Sequence, residues 1–187
     1  MFKLDYNYKA YNEGTNQSII DLLKEGVGIR GISRLLKISP TTVISRIKTI
    51  ANQLKPPMLF QGKSYEADEM HTYVNDKNFR QYVCLGVRTD TKEVVRIGVG
   101  KRSGIYLKTV TDPIVLSSPK VIYTDSWKAY KSILPRKIHK IKKGRTNKIE
   151  RINLNVRTHL KRLNRRTIAF SKSSEMLLAC VKIYFWT

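Results

Sequence analysis

The spacing of apolar residues changes at one point in this chain, the pair Pro56-Pro57. Before that pair, apolar side chains recur about every three to four residues, as they do in amphipathic helices. After it, runs rich in Val, Ile, Tyr and Thr predict strands. Because two consecutive prolines cannot continue a helix, they mark a break between domains. We therefore predict a helical domain over residues 1–52, a linker over 53–62 and an α/β domain over 63–187.

Three short helices are predicted before the prolines. The first begins at a Ser18 cap and ends at Gly26, where a left-handed residue is favoured, and the second spans residues 29–36. Ser39 and Pro40 then supply an N-cap and a proline at the first helical position, which open a third helix. The buried side of the third helix is formed by Val43, Ile47 and Ile50. This order is typical of a helix-turn-helix.

The start of the third helix is the part of such a motif that enters the DNA major groove. Lys48, farther along that helix, is predicted to meet a backbone phosphate. The residues predicted to face the bases are Thr41, Thr42, Ser45 and Arg46. A small helical bundle without nucleic-acid contacts is the alternative that the same pattern allows.

Net charge favours the DNA-binding interpretation. The 187 residues include 36 Lys and Arg against 14 Asp and Glu, which gives a formal charge of +22. A domain this basic attracts polyanions, nucleic acid first, and an acidic protein or a membrane surface is the weaker interpretation. Two cysteines cannot form a structural zinc site alone, and no stretch has the length of about 20 apolar residues that a membrane span needs. We expect a cytoplasmic, nucleoid-associated protein that does not bind membranes.

The region after the linker predicts an RNase H-like α/β domain, a mixed five-stranded sheet with flanking helices. Strands are predicted over residues 65–74, 81–88, 94–100, 120–123 and 137–141. Helices are predicted over residues 105–116, 127–134, 147–164 and 175–185, the first of them interrupted by Pro113.

Glu150 is the only acid between Ser126 and Ser174, and it lies inside a tract from Arg136 to Arg166 that contains 13 Lys and Arg. One interpretation is an ordinary ion pair with Arg157 or a nearby lysine, which contributes little when exposed. The other is metal binding, because phosphoryl transfer uses carboxylates that converge on divalent ions about 4 Å apart.

Two further acids lie on strands that can be neighbours. Asp68 is in the middle of the first strand, and Asp125 follows the fourth strand at its carboxyl end, where open α/β sheets place their sites. If these strands pair, the two carboxylates meet. Glu66 and Glu69 flank Asp68, and a register shift of one residue would exchange their faces, so the strand pattern alone does not select Asp68.

The helix that carries Glu150 adds polar residues on the same face. Asn153 and Arg157 follow Glu150 by three and seven residues, and an arginine at that position can hold a DNA phosphate. With Lys161 of the same basic tract, these residues are predicted to contact DNA.

Four separate runs, in this order, resemble the transposases of the insertion sequence 1 family. They are ADEM at residues 67–70, YTDSW at 123–127, IERINLN at 149–155 and AFSKS at 169–173, and the similarity extends over about residues 8–183. The resemblance implies that Asp68, Asp125 and Glu150 form a DDE triad that is both catalytic and metal-binding. It also implies that Arg157 is the basic residue found seven positions after the glutamate.

By the same resemblance, the cofactor is Mg²⁺, with Mn²⁺ as a substitute, and the triad holds two ions. The partners are the element ends and target DNA, bound by a homo-oligomer. Members of the family commonly begin with a cysteine-rich zinc ribbon, whereas the first cysteine here is Cys84, and the carboxyl end is several residues short. The expectation is a truncated copy, an internal start or one product of a split reading frame.

We therefore predict a metal-dependent DNA transposase that cleaves and transfers strands. Two alternatives stay open. One is a non-catalytic DNA-binding repressor or truncated inactive product, and the other is an RNase H-like nuclease such as a junction resolvase. Catalysis requires the carboxyl groups of Asp68, Asp125 and Glu150 to lie within roughly 4–8 Å of one another.

Overall fold

The computed structural model describes residues 8–141, 147–164 and 166–187. Three helices precede the sheet, and all three were predicted: α1 (Thr15–Lys24), α2 (Ile29–Leu36) and α3 (Pro40–Gln53). The Ser39 side chain accepts a hydrogen bond of 3.0 Å from the backbone N–H of Thr42, which confirms the predicted cap of α3.

The predicted Ser18 cap of α1 is wrong, because the helix begins one turn earlier. Gly14 precedes α1 with a left-handed φ of 81°, and the Ser18 N–H already donates to the Gly14 carbonyl oxygen inside the helix. The hydroxyl of Thr15 donates to the carbonyl oxygens of Lys9 and Asn12, which ties the start of α1 to the preceding turn. A glycine and a threonine thus supply the start that a serine cap was expected to provide.

The turn after α1 requires a glycine, as predicted. Gly26 has a φ of 74°, and the backbone N–H groups of Gly26 and Val27 donate back to Leu23 and Leu22. A Cβ at position 26 would also overlap the backbone carbonyl oxygen of His159. This turn is therefore packed against a residue more than 130 positions away.

The sheet has five strands in the order β3-β2-β1-β4-β5. Their bounds are β1 (Ser64–Val74), β2 (Asp76–Arg88), β3 (Val94–Gly100), β4 (Val121–Thr124) and β5 (His139–Ile141). The first three strands pair antiparallel, whereas β4 runs parallel to both β1 and β5. The predicted RNase H-like topology is confirmed, as is the expected pairing of the first and fourth strands.

Four helices flank the sheet: α4 (Gly104–Leu116), α5 (Lys128–Ile133), α6 (Asn147–His159) and α7 (Ser174–Trp186). Two details differ from prediction. Pro113 does not interrupt α4, because it lies in the last turn of that helix. The long helix ends at His159 and not at residue 164, because Leu160 adopts an extended conformation and a 3-10 turn then buries Leu163.

Apolar side chains bury both faces of the sheet. One face carries Tyr65, Ala67 and Val95 against Leu107 of α4 and Tyr130 of α5. The other face packs against α6 and α7, and the same apolar cluster continues into α1, α2 and α3. Helix α7 contacts both β3 and α3, so it joins the helix-turn-helix to the sheet. Within the described ranges, no helix has the length and apolarity to span a bilayer.

Candidate active site

A cleft opens beside β1 where its pairing with β4 ends. The last paired residues are Glu66 of β1 and Tyr123 of β4, while β1 continues to Val74. The resulting cleft of about 510 Å³ lies at the carboxyl end of β4, where the site was predicted, and contains acids, arginines and aromatic rings. It is lined by Asp68, Glu69, His71, Tyr73, Arg80, Tyr82, Arg102, Asp125 and Arg157.

Strand register brings Asp68 and Asp125 together. Each lies two residues beyond the Glu66–Tyr123 pair, so parallel strands carry them to the same level. One ligand oxygen from each, together with one from Glu69, lies within 4.8 Å of the others. The backbone N–H of Trp127 donates to Asp125 Oδ1 at 2.9 Å and so orients that carboxylate. The predicted proximity of Asp68 and Asp125 is therefore observed.

Asn153 orients the other aspartate. This residue of α6 is 5% exposed, and its Nδ2 donates to Asp68 Oδ2 at 2.8 Å. Its amide was predicted to contact DNA, but the structure places it against a carboxylate in the interior. Helix α6 is held over the sheet by Ile149 and Val156, both fully buried, so the position of Asn153 is fixed by packing.

Burial, together with the neighbouring negative charges, raises the pKa values of Asp68 and Glu69. Burial is the largest cause that raises the pKa of Asp68 to about 6, and the negative charges of Asp125 and Glu150 raise it further, while Arg157 lowers it. Burial also raises the pKa of Glu69 to about 7, with the charges of Asp125 and Asp68 adding to it. Carboxylates that resist ionisation together are stabilised as anions by a cation between them.

The chemistry of this group fits a hard divalent metal ion. Mg²⁺ prefers carboxylate oxygens as ligands, and the hydrogen bonds that support Asp68 and Asp125 leave other oxygen lone pairs for a metal. Two carboxylates from separate strands, within 4.8 Å, can share an ion without a change in the backbone.

Glu150 occupies a different position from the two aspartates. It lies in the first turn of α6, exposed, on the helix face that also carries Asn153 and Arg157. Its charge contributes to the raised pKa of Asp68, so the two carboxylates interact electrostatically. Among the described residues, the third acid within 4.8 Å of Asp68 and Asp125 is Glu69, not Glu150. The assignment of Glu150 to the triad stays a prediction.

The strand pattern did not distinguish Glu69 from Asp68, and the family resemblance selected Asp68. Glu69 lies on the opposite face of β1 from Asp68, on the side of Tyr130, whose hydrogen bond to Glu69 lowers the carboxyl pKa. Both faces of β1 are open toward Asp125 because β4 ends at Thr124. The only sequence signal for Glu69 is its position next to Asp68.

Three arginines from different elements line the cleft: Arg80 of β2, Arg102 of the loop before α4, and Arg157 of α6. The predicted position of Arg157 near the acids is supported, because its charge lowers the pKa of Asp68. Arg80 and Arg102 were not predicted, since neither lies in the basic tract. Lys161 is exposed in the 3-10 turn after α6. Residues 142–146 and 165 of that tract lie outside the described residues.

The predicted DNA-contacting residues of α3 divide into two groups. Thr41 and Ser45 are exposed. Thr42, Arg46 and Lys48 instead contact other parts of the chain: the Thr42 hydroxyl lies 2.8 Å from the Tyr8 hydroxyl, Arg46 donates to the Ala10 carbonyl oxygen at 3.2 Å, and Lys48 pairs with Glu175 at 2.6 Å. These long-range contacts were not visible in the local pattern.

The chain matches two family models in succession. Residues 64–185 match the family described as IS1 transposase, and residues 6–50 match the InsA C-terminal domain, a helix-turn-helix. Insertion element IS1 9 protein InsB of Escherichia coli K12 is 33% identical over 142 residues, which cover 76% of this chain and 80% of that protein. The IS1 InsB protein of Haemophilus ducreyi matches with the same identity and coverage.

Solved structures of retroviral integrases are also similar. The catalytic core domain of HTLV-2 integrase, in complex with magnesium, matches with a TM-score of 0.42 and 15% identity over 66% of this chain and 86% of that one. A chain of the simian T-cell lymphotropic virus intasome matches with a TM-score of 0.45 and 17% identity, over 82% of this chain and 63% of that one. The family models, the InsB relatives and the acidic cleft agree, and the chain belongs to the IS1 transposase family, with a DDE catalytic domain and a helix-turn-helix DNA-binding domain.

Proposed function

We propose that this transposase binds the ends of its insertion element through α3 and cleaves and joins DNA strands in the cleft, with Asp68, Asp125 and Glu150 as the catalytic and metal-binding triad. The observation that carries the proposal is the meeting of Asp68 and Asp125, 57 positions apart in sequence, within 4.8 Å. Cleavage requires a divalent metal ion in a DDE transposase. We propose Mg²⁺, replaceable by Mn²⁺, with two ions in the site.

The chain's own residues prepare the site in two ways. Asn153 and the Trp127 N–H fix the orientations of the two aspartates. Arg157, on the same helix face as Glu150, binds a phosphate of the strand to be cut. When bound, the metal ions would neutralise the charge that develops on the attacking and leaving oxygens.

The DNA-binding face of α3 is proposed to use Thr41 and Ser45 for base contacts, because both are exposed. Thr42 and Arg46 reach DNA only if they release Tyr8 and Ala10, whereas Lys48 would exchange Glu175 for a phosphate. Both ends of an element must be held together for transfer, so we propose a homo-oligomer assembled on DNA at the nucleoid. We propose that residues 1–52 form the DNA-binding domain, residues 53–62 the linker and residues 63–187 the catalytic domain.

The third member of the triad can be tested with two isosteric variants. Glu150→Gln should reduce strand joining by at least about a hundredfold, while Glu69→Gln should retain most of it, because only Glu150 is proposed as a metal ligand. The assay incubates purified protein with DNA that contains the element ends and Mg²⁺, and it measures joined products on a denaturing gel. EDTA and DNA without the ends are the negative controls.

If joining were lost in Glu69→Gln and retained in Glu150→Gln, Glu69 would be the third member of the catalytic triad. A wild-type protein that binds the ends but neither nicks nor joins them would favour the second function, a non-catalytic end-binding repressor. The observation that favours this second function is the exposed position of Glu150 outside the closest acid group.

Metal binding should weaken as the pH falls. Protons compete with the metal directly for Asp68, whose pKa is about 6, while Glu69, whose pKa is about 7, adds its charge beside the site without binding the metal. We expect the affinity for Mn²⁺, measured by calorimetry, to fall by about tenfold from pH 8 to pH 5. Affinity that does not change over this range would contradict the competition. Asp125→Asn, which removes one ligand, serves as the control for binding elsewhere.

The same pKa shifts set the pH dependence of stability without metal. Both carboxyls hold protons more tightly in the folded protein than in the unfolded chain, so the free energy of unfolding falls as the pH rises from about 4 to about 7. Metal binding reverses this loss. The increase in melting temperature caused by Mn²⁺ should therefore be larger at pH 8 than at pH 6.

A further inference from the structure

Arg102 is held at the cleft by aromatic rings. Its guanidinium carbon lies 4.2 Å from the centroid of the Trp127 ring and 5.4 Å from that of the Tyr82 ring. The two rings come from different elements, the start of α5 and the middle of β2, and the arginine comes from the loop between β3 and α4. Contacts with aromatic faces restrict the guanidinium and leave its N–H edges available for a ligand.

Two other arginines of the described ranges use their N–H groups inside the protein. Arg88 pairs with Asp90 and Glu93, and Arg96 donates to the carbonyl oxygen of Pro57. Arg102 is exposed, and it is absent from the ion pairs formed between described residues. Its charge nevertheless acts on the acid cluster, because it lowers the pKa of Glu69. Arg102 is therefore a restrained cation beside the acids that is not paired with them.

Trp127 connects this cation to the site of cleavage. Its ring contacts Arg102, while its backbone N–H donates to Asp125 Oδ1 at 2.9 Å. The ring also packs edge-on against Tyr130, which is fully buried, so Trp127 is anchored in the core. One residue thus sets the distance between a guanidinium and a carboxylate of the proposed metal site.

We propose that Arg102 is a substrate-binding residue that clamps a phosphate of the DNA strand in the cleft by two N–H···O hydrogen bonds, with Trp127 and Tyr82 as its support. The inference rests on the proposed function of the cleft and names a contact for its substrate. The chemical class of the ligand follows from geometry, because a planar guanidinium matches two oxygens of a phosphodiester, whereas a lysine ammonium acts as a point charge.

Three variants separate a phosphate clamp from general positive charge. Arg102→Ala should reduce the single-turnover rate of strand joining by about tenfold to a hundredfold. Arg102→Lys should recover only a small part of the loss, because it keeps the charge but not the paired donors. Lys108→Ala removes the same charge from an exposed position on α4 outside the cleft and should stay within about twofold of wild type. Thermal melting checks that each variant is folded.

A substrate series then tests the contact itself. Single phosphates near the cleavage point are replaced one at a time by neutral methylphosphonate, and joining is measured with wild type and with Arg102→Ala. At the clamped phosphate, the replacement should slow wild type by about tenfold and leave Arg102→Ala unchanged, since the contact is already absent. If Arg102 had only a structural role, the methylphosphonate would slow joining by the same factor in wild type and in Arg102→Ala.

The outcomes distinguish this inference from the proposed function. If wild type fails to join DNA, the proposed function fails before Arg102 is tested. If wild type joins DNA and Arg102→Ala matches it, or if Arg102→Lys restores the full rate, the phosphate clamp is wrong while the transposase activity stands.

Discussion

Asp125→Asn should abolish strand joining while leaving affinity for the element ends within about twofold of wild type. Asparagine keeps the shape of the side chain and the oxygen that accepts from the Trp127 N–H at 2.9 Å. It removes the negative charge with which Asp125 is proposed to bind a metal ion beside Asp68. The expected loss is at least about 10³-fold in the joining rate. End binding is measured by fluorescence anisotropy and joining by gel.

Asp112→Asn is the matched control for this change. Asp112 is exposed on α4, outside the cleft, so the same substitution there should leave both binding and joining near wild type. Full joining by Asp125→Asn would show that this carboxylate is not part of the catalytic triad. Loss of end binding together with joining would instead indicate that the variant does not fold correctly.

Gly26→Ala should lower the free energy of unfolding by about 2–4 kcal/mol. Alanine is strained at a φ of 74°, and its Cβ would overlap the backbone carbonyl oxygen of His159, which cannot rotate away. Chemical denaturation followed by circular dichroism measures the change. Because the turn belongs to the helical domain and packs against the end of α6, we also expect weaker end binding in the folded fraction.

Gly28→Ala is the control, since this glycine has a negative φ of −73° and no atom within 4 Å of the added Cβ. This substitution should change the free energy of unfolding by no more than about 1 kcal/mol. Equal destabilisation by the two substitutions would mean that neither the backbone conformation nor the His159 contact decides the effect at position 26.

Local sequence patterns predicted the elements that depend on neighbouring residues. The cap at Ser39, the turn at Gly26 and the proximity of Asp68 and Asp125, which was conditional on neighbouring strands, all agree with the structure. Each follows from a rule that acts within a few residues or between adjacent strands. The start of α1 was missed because Gly14 and the Thr15 hydroxyl replaced the expected cap.

Features that depend on distant residues could not be predicted. Glu69 enters the acid group because β4 ends early and leaves both faces of β1 open, and the length of β4 is not encoded near Glu69. Arg102 reaches the cleft through a loop, and its supporting rings lie 20 residues before it, at Tyr82, and 25 residues after it, at Trp127. Asn153 was expected at the DNA and is instead buried against Asp68, because the packing of α6 sets its depth.

Helix α7 contacts both α3 and β3, and its Glu175 pairs with Lys48 of α3 at 2.6 Å. Helix α3, which is proposed to bind the element ends, and the sheet that carries the acids therefore pack against the same helix. We expect the cut to fall at a fixed number of base pairs from the sequence that α3 is proposed to bind. One inserted base pair moves the scissile phosphate by about 3.4 Å along the helix axis and rotates it around that axis, beyond the reach of a fixed cleft.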